Sequence, residues 1–304
     1  MVGVIRRALD SDIAYSFFRS PTGLPSAIVA LFCIGAAVLA PWIAPHDPFD
    51  LASLNLMDAS TPPVWEADGN PIYLLGTDDQ GRDMLSAIMY GARISLVVGF
   101  SAVALSVLLG VTLGLLAGYL GGTLDAVLMR IADVQLTFPT ILIALLVDGV
   151  TRVVLPRELH DRMALYVVIF AIGISNWPQF ARTVRGSTLV ERNKEYVQAA
   201  RVIGLSSWRI MRSHVLPNAL GPVLVIATLA LGGAILSEAT LSFLGVGVPP
   251  TQPSLGTLIR IGQEFLFSGE WWITIFPGAA LVAMVLSVNL LGDWLRDALN
   301  PKLR

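Results

Sequence analysis

Apolar residues in this chain are gathered into long uninterrupted blocks, not spaced every second or every third to fourth position. Stretches free of Asp, Glu, Lys and Arg occupy residues 21–45, 94–124, 163–181, 215–237 and 271–292. A helix needs about 20 mostly apolar residues to cross the hydrocarbon layer, and it satisfies its backbone polar groups internally. Each block is therefore predicted to be a membrane span. A sixth span is predicted at residues 126–147, with Arg130 and Asp133 near its start and Asp148 closing it. The pattern gives an all-α membrane protein of six transmembrane helices.

Composition agrees with the pattern. The 304 residues are 55% hydrophobic and 14% charged, with mean hydropathy +0.70, whereas soluble domains carry roughly 25% charged residues. The net charge of -2 carries no information as a total, because in a membrane chain only its distribution over the loops matters. Arg6, Arg7 and Arg19 precede the first span, seven basic residues fall between Arg182 and Arg212, and Arg296, Lys302 and Arg304 follow the last span. With six alternating spans these lie on one side. Together with Arg130 they make up fourteen of the 20 basic residues, so the positive-inside rule puts both termini and the 182–217 loop in the cytoplasm. On the opposite side, residues 46–91 carry Asp47, Asp50, Asp58, Glu66, Asp68, Asp78, Asp79 and Asp83 against Arg82 alone.

The chain then divides into a cytoplasmic lead (1–25), a first transmembrane helix (26–45), a periplasmic loop (46–93), a five-helix core (94–295) and a cytoplasmic tail (296–304). In the 46–93 loop, Thr77 or Asp78 is placed to cap a short interfacial helix running through Met84, Leu85, Ile88 and Met89. Asp78, Asp79 and Asp83 lack the calcium-loop spacing and its terminal Glu, so no metal site is expected of them. Cys33, the single cysteine, lies in the first span and reads as a small apolar filler. Pro41 follows the small residues of that span, which reads as an uncleaved anchor. Gly110, Gly114 and Gly118 recur every four residues and predict a face where another backbone approaches closely, within the subunit or across a dimer. Trp42, Trp271, Trp272 and Trp294 fall at span ends, as interfacial anchors do.

The segment 195–217 is charged and set between two apolar blocks. Val197, Ala200 and Ile203 fall on one side of a helix and Glu195, Gln198 and Arg201 stay polar. Gly204 breaks that helix, Ser206 or Ser207 caps a second one through Trp208, Ile210 and Met211, and Pro217 ends it. The corner presents Leu205, Ser206, Ser207, Trp208 and Arg209 outward, with the aromatic and Arg side chains that dominate protein contacts. By composition alone it fits a helix pair lying on the lipid surface or a docking element for a soluble partner. A DNA-reading helix-turn-helix has similar spacing, but short tethers to two spans exclude it.

The run Gln198-Ala199-Ala200, then Gly204, then His214-Val-Leu-Pro217, resembles the EAA loop of permease subunits in binding-protein-dependent ABC importers, with Gln198 where many members have Glu. The stretches 75–83, 90–95, 241–245 and 289–304 are similar to the dipeptide/oligopeptide branch of that family. The resemblance implies an ABC importer type I permease fold without catalysis of its own. It further implies coupling to ATPases through Gln198, Ala199, Ala200, Gly204, Leu205, Ser206, Ser207, Trp208, Arg209 and Pro217. The implied partners are a homologous second permease forming a heterodimer, two cytosolic P-loop ATPases that bind ATP and magnesium, and a periplasmic peptide-binding protein. Nickel complexes, glutathione and other small solutes are carried by related importers and stay open as substrates.

Independently, the two lysines, Lys194 and Lys302, follow Asn193 and Pro301, so no Gly-Lys-Ser/Thr phosphate loop exists and this chain is expected to hold no cofactor. Glu238, an ionisable group near the outer end of a span, is expected either to face the pathway and meet a peptide amino group or to bond a neighbouring helix or water. An ion-coupled secondary transporter is the different-class alternative, but the internal charges are few and peripheral. An embedded enzyme would need a constellation, and His46, His160 and His214 are scattered over loops.

Overall fold

A computed structural model describes residues 12–50 and 54–298. Arg6, Arg7, Lys302 and Arg304, which contribute to the charge argument, lie outside them. Among the described residues the regular elements are helices: α1 Asp12–Arg19, α2 Gly23–Ile43, α3 Met84–Leu120, α4 Gly122–Leu136, α5 Thr140–Val154, α6 Arg157–Glu191, α7 Glu195–Val202, α8 Ser207–Ile210, α9 Leu216–Phe243, α10 Leu255–Phe265 and α11 Trp272–Ala298. Five spans by length and apolarity are α2, α3, α6, the stretch Ser207–Phe243 and α11; α4 and α5 make a sixth if the bent pair counts as one.

That pair departs from the expected straight sixth span. The axes of α4 and α5 differ by 94°. Pro139, with φ -57° and ψ 137°, sits at the joint; it has no N–H to donate and disfavours helix in the residue before it. Asp148 does not close the second arm, which continues to Val154; Arg152 pairs with Asp148 one turn later at 2.6 Å.

In space the chain forms two compact units. One compact unit combines the chain up to Val98 with the chain from Leu231 onward; the other is Gly99–Ala230.

In the first unit α11 packs on both α2 and α10. The short interfacial helix expected near residue 84 is absent as a separate element: Met84 opens α3, which runs without a break for 37 residues. Asp78 caps nothing helical. Its carboxylate accepts the amides of Gln80 and Arg82, each at 2.9 Å, and Arg82 Nε at 2.6 Å, closing a turn. Thr77 is likewise occupied, accepting the amide of Thr61 at 2.9 Å. Asp83 takes the capping position, accepting Ser86 N–H at 3.0 Å, and no proline interrupts the apolar run beyond it. Trp272 is buried with its Nε1–H donated to Thr77 O at 2.9 Å, and Trp271 donates to Glu66 Oε1 at 3.2 Å. These two indoles fasten the loop to α11 and so differ from the lipid-facing anchors expected. Trp42 is 77% exposed.

In the second unit α6 packs on α5 and α4. The glycines at 110, 114 and 118 let α3 lie directly against α6. A β-carbon on Gly114 would stand 2.9 Å from Ala181 Cα, one on Gly110 2.8 Å from Trp177 O, and one on Gly118 2.7 Å from Thr188 Cβ. Arg185 and Asp125 form a two-bond ion pair at 2.5 and 2.7 Å, and Arg182 pairs with Asp133, joining α6 to α4.

Gly114→Leu is expected to destabilise the purified protein by about 1–3 kcal/mol through overpacking. Gly35→Ala, whose new methyl meets nothing within 4 Å inside a helix, should leave the thermal midpoint unchanged or raise it slightly. Asp79 supplies a pH test. Burial first, and Asp78 second, raise its carboxyl above the ordinary range. The folded state thus holds this proton more tightly than the unfolded state. The resulting stabilisation is complete below the unfolded pKa and is lost as pH rises through the folded one. Asp79→Asn should therefore raise the thermal midpoint at pH 7, with the gain vanishing toward about pH 4.

Candidate functional site

The 195–217 loop is built as two short helices whose inner sides belong to the core of the second unit. Val197 and Val215 are 0% exposed, Ile210 1% and Ala200 3%. They join Leu115, Tyr119, Phe180, Val184, Met211 and Val223 in one cluster. Each such branched side chain withdrawn from water is worth about 1.5–3 kcal/mol, so the loop has a seat.

The corner after α7 is a Schellman turn. Gly204 has φ 81°, a region open to glycine and strained for β-branched residues. Leu205 N–H bonds Ala200 O at 3.1 Å and Gly204 N–H bonds Arg201 O at 3.0 Å, satisfying the last carbonyls of α7. Leu205, expected outward, instead turns in and packs against the core cluster, the apolar contact that accompanies this turn. Ile203 departs the other way. Helical periodicity groups it with Val197 and Ala200, but α7 ends at Val202 and Ile203 is 73% exposed. Gln198, Ala199, Ser206, Ser207, Arg209 and Pro217 are exposed, as is Trp208. The apolar side chains left uncovered at the corner are therefore Val202, Ile203 and Trp208.

Pro217 does not end the second helix. α8 passes through a π-helical turn, Met211–Val215, into α9. Leu216 N–H reaches back to Met211 O. The wider turn absorbs the donor that Pro217 lacks and keeps the chain helical into the span.

Polar contacts hold the loop to its flanking helices. Tyr196 donates its hydroxyl to Glu191 at the end of α6 and accepts from Asn218 Nδ2 in α9 at 3.0 Å. Asn218 also donates to His214 O at 2.7 Å. The bond to Glu191, followed by burial, raises the Tyr196 phenol above its ordinary range, so it stays protonated and donating. Lys194 Nζ pairs with Glu191 at 2.6 Å. Arg192 Nη1 caps the end of α3 through Gly118 O at 2.8 Å, and the Arg201 guanidinium lies 5.2 Å from the Tyr119 ring centre. Sequence reasoning missed Glu191, Arg192, Arg201 and Asn218 as partners. The one local signal was the cationic charge of residues near a helix C-terminus.

Glu238 lies elsewhere, in the first unit. It is 0% exposed and accepts Ser95 Oγ and Ser242 Oγ, both at 2.7 Å. In this conformation it joins α9 to the beginning of α3 and faces no open space.

Helices of this length, a long first loop and a clamped, corner-shaped loop before the fifth span make up a multi-pass membrane protein. The chain belongs to the family described as binding-protein-dependent transport system inner membrane component, which matches residues 110–304. Residues 11–63 match the N-terminal TM domain of oligopeptide transport permease C. The chain is 39% identical over 289 residues to the dipeptide transport system permease protein DppC of Haemophilus influenzae, covering 95% of this chain and 93% of that one. It is 43% identical to DppC of Escherichia coli K12, covering 93% and 88%, and 38% identical to a di/tripeptide transport system permease protein of Pseudomonas aeruginosa, covering 95% and 91%. In fold it is similar to a chain of the MetNI methionine ABC transporter in an inward-facing conformation. There the TM-score is 0.56 at 21% identity, covering 71% of this chain and 98% of that one. The fold is thus the permease fold of ABC importers.

Tyr196→Phe should free α7 locally. Losing the shared hydroxyl costs about 1–2 kcal/mol, which corresponds to roughly tenfold faster amide hydrogen exchange across residues 195–205. Asn218→Ala should accelerate the same amides; unaltered exchange in both variants would show that the network does not restrain the loop.

Proposed function

We propose that this chain is one permease half of an ATP-driven importer for dipeptides or short oligopeptides, with its termini and the 182–217 loop in the cytoplasm. The observation that carries the proposal is the uncovered corner of Val202, Ile203, Trp208 and Arg209 on a loop otherwise seated in the core. Exposed apolar and cationic side chains on a rigid base are what a partner surface reads.

The partner is a P-loop ATPase. This chain has no phosphate loop of its own, so ATP and magnesium belong to two such subunits, each gripping one permease. A second, homologous permease completes the path and a periplasmic binding protein delivers the solute. The peptide substrate is carried over from the similar permeases of Haemophilus, Escherichia and Pseudomonas. Glu238 takes a bracing role. Because Glu191, Tyr196 and Asn218 tie the corner to α6 and α9, movement of the ATPases displaces loop and spans together and switches access by rigid-body rotation.

The test uses the assembled transporter. Gly204→Val places a β-branched residue in the left-handed region, at a cost of about 1–2 kcal/mol. It should depress labelled-dipeptide uptake while leaving ATP hydrolysis active. Trp208→Ala and Arg209→Glu should each weaken recovery of the ATPases on co-purification by roughly tenfold or more, as loss of a central contact does. Normal uptake by Gly204→Val together with full ATPase recovery in the other two variants would reject this function for the loop.

A further inference from the structure

The helix preceding the first span has no part in the transport reading, yet it is built for a particular environment. In α1, Asp12–Arg19, Phe17 turns inward and meets the Trp294 ring edge-on with centroids 4.8 Å apart. Trp294 also lies against Gly23, the first residue of α2, where a β-carbon would stand 2.9 Å from its ring. Ser20 receives the Gly23 amide at 2.9 Å, so the turn between α1 and α2 is fixed. α1 is therefore attached through Phe17 and the turn, while Tyr15 and Phe18 stand uncovered. Tyr15 is 62% exposed and Phe18 57%; three residues apart, they share one helix face. Arg19 extends over the Tyr15 ring with 4.8 Å between guanidinium carbon and ring centre, and among the described residues it forms no ion pair.

The membrane span follows this helix directly along the chain. α2 begins four residues beyond Arg19 and exposes Leu31, Phe32 and Trp42 by 70, 74 and 77% along a membrane span. Exposed aromatics so close to the start of a span, beside a cation, match the headgroup layer, where amphipathic rings and Arg are favoured together. Water would leave both rings uncompensated.

We infer that α1 lies in the lipid headgroup layer as an interfacial anchor, with Tyr15 and Phe18 inserted among the upper acyl chains and Arg19 bound to lipid phosphate. The occupant of this face is the bilayer itself. The inference depends only on α2 spanning the membrane and stands whatever the transported solute is.

The assembled transporter in lipid nanodiscs provides the test. On a Cys33→Ser background, which removes the one cysteine of this chain, and with partner subunits stripped of reactive cysteines, nitroxide labels are attached at Tyr15→Cys or Phe18→Cys, one at a time. A label at Met57→Cys, an 89% exposed loop position, serves as the water reference. Power saturation with oxygen and with a water-soluble nickel chelate then gives immersion depth. The expected result is greater oxygen than chelate accessibility at 15 and 18, corresponding to about 5–10 Å below the phosphates, with the reverse at 57. Arg19→Glu should lessen the immersion in anionic discs more than in zwitterionic ones. Chelate accessibility at 15 and 18 equal to that at 57 would overturn the inference by placing the face in water. Shielding of both labels from both reagents would overturn it in favour of a protein cover.

Discussion

One hydroxyl governs how this loop relates to its helices. The Tyr196 side chain bonds Glu191 at the end of α6 and Asn218 near the start of α9, so an eight-residue helix is tied to both of the spans that flank it. The cross-tie adds direction to the buried seat of Val197, Ala200, Ile210, Met211 and Val215, which holds the loop against the core. With it, loop and spans form a lever. The apolar seat beneath the loop and the Arg192 cap on α3 reinforce the same attachment.

Inside the membrane region, attachment is achieved by other means. No hydrophobic driving force separates one apolar helix from lipid, so close approach and polar pairing do the holding. Glycine and Ala181 bring α3 and α6 into backbone contact. Arg185 and Asp125 join α6 to α4, and Glu238 takes hydroxyl hydrogens from Ser95 and Ser242. Each of these charged or polar groups stands with a partner, as a low-dielectric setting requires.

The spans were legible because a run of about 20 residues without charge has few other structural outcomes. Their ends were not. α3 begins at Met84, ten residues before the charge-free run, because helix continues wherever its backbone is satisfied and Arg93 costs nothing at the rim. α6 reaches Glu191 for the same reason, its Arg182 and Arg185 matched to carboxylates on α4 that no local pattern reveals. The bend at Pro139 escaped because hydropathy is blind to one missing N–H. In the loop, Gly204 announced the corner, since a helical pattern stopped there. The cross-tie did not announce itself: Asn218 is 22 residues from Tyr196, and nothing in spacing alone pairs them. Leu205 and Ile203 exchanged expected positions because the Schellman turn, rather than helical periodicity, sets side-chain direction past Val202.

The central claim is that the loop and its spans move as one body, and a distance measurement tests it directly. Paired spin labels are placed at the exposed Val202 and at Gly186 on α6, where an added side chain meets nothing within 4 Å. The distance between them is then read by pulsed dipolar spectroscopy in the assembled transporter, nucleotide-free and with ATP trapped. If loop and spans move as one body, the distance is the same in both states to within about 2 Å, the scale of small packing adjustments. A change of about one helical turn or more, roughly 5 Å, would contradict this by showing that the loop swings independently of the helices it is meant to move.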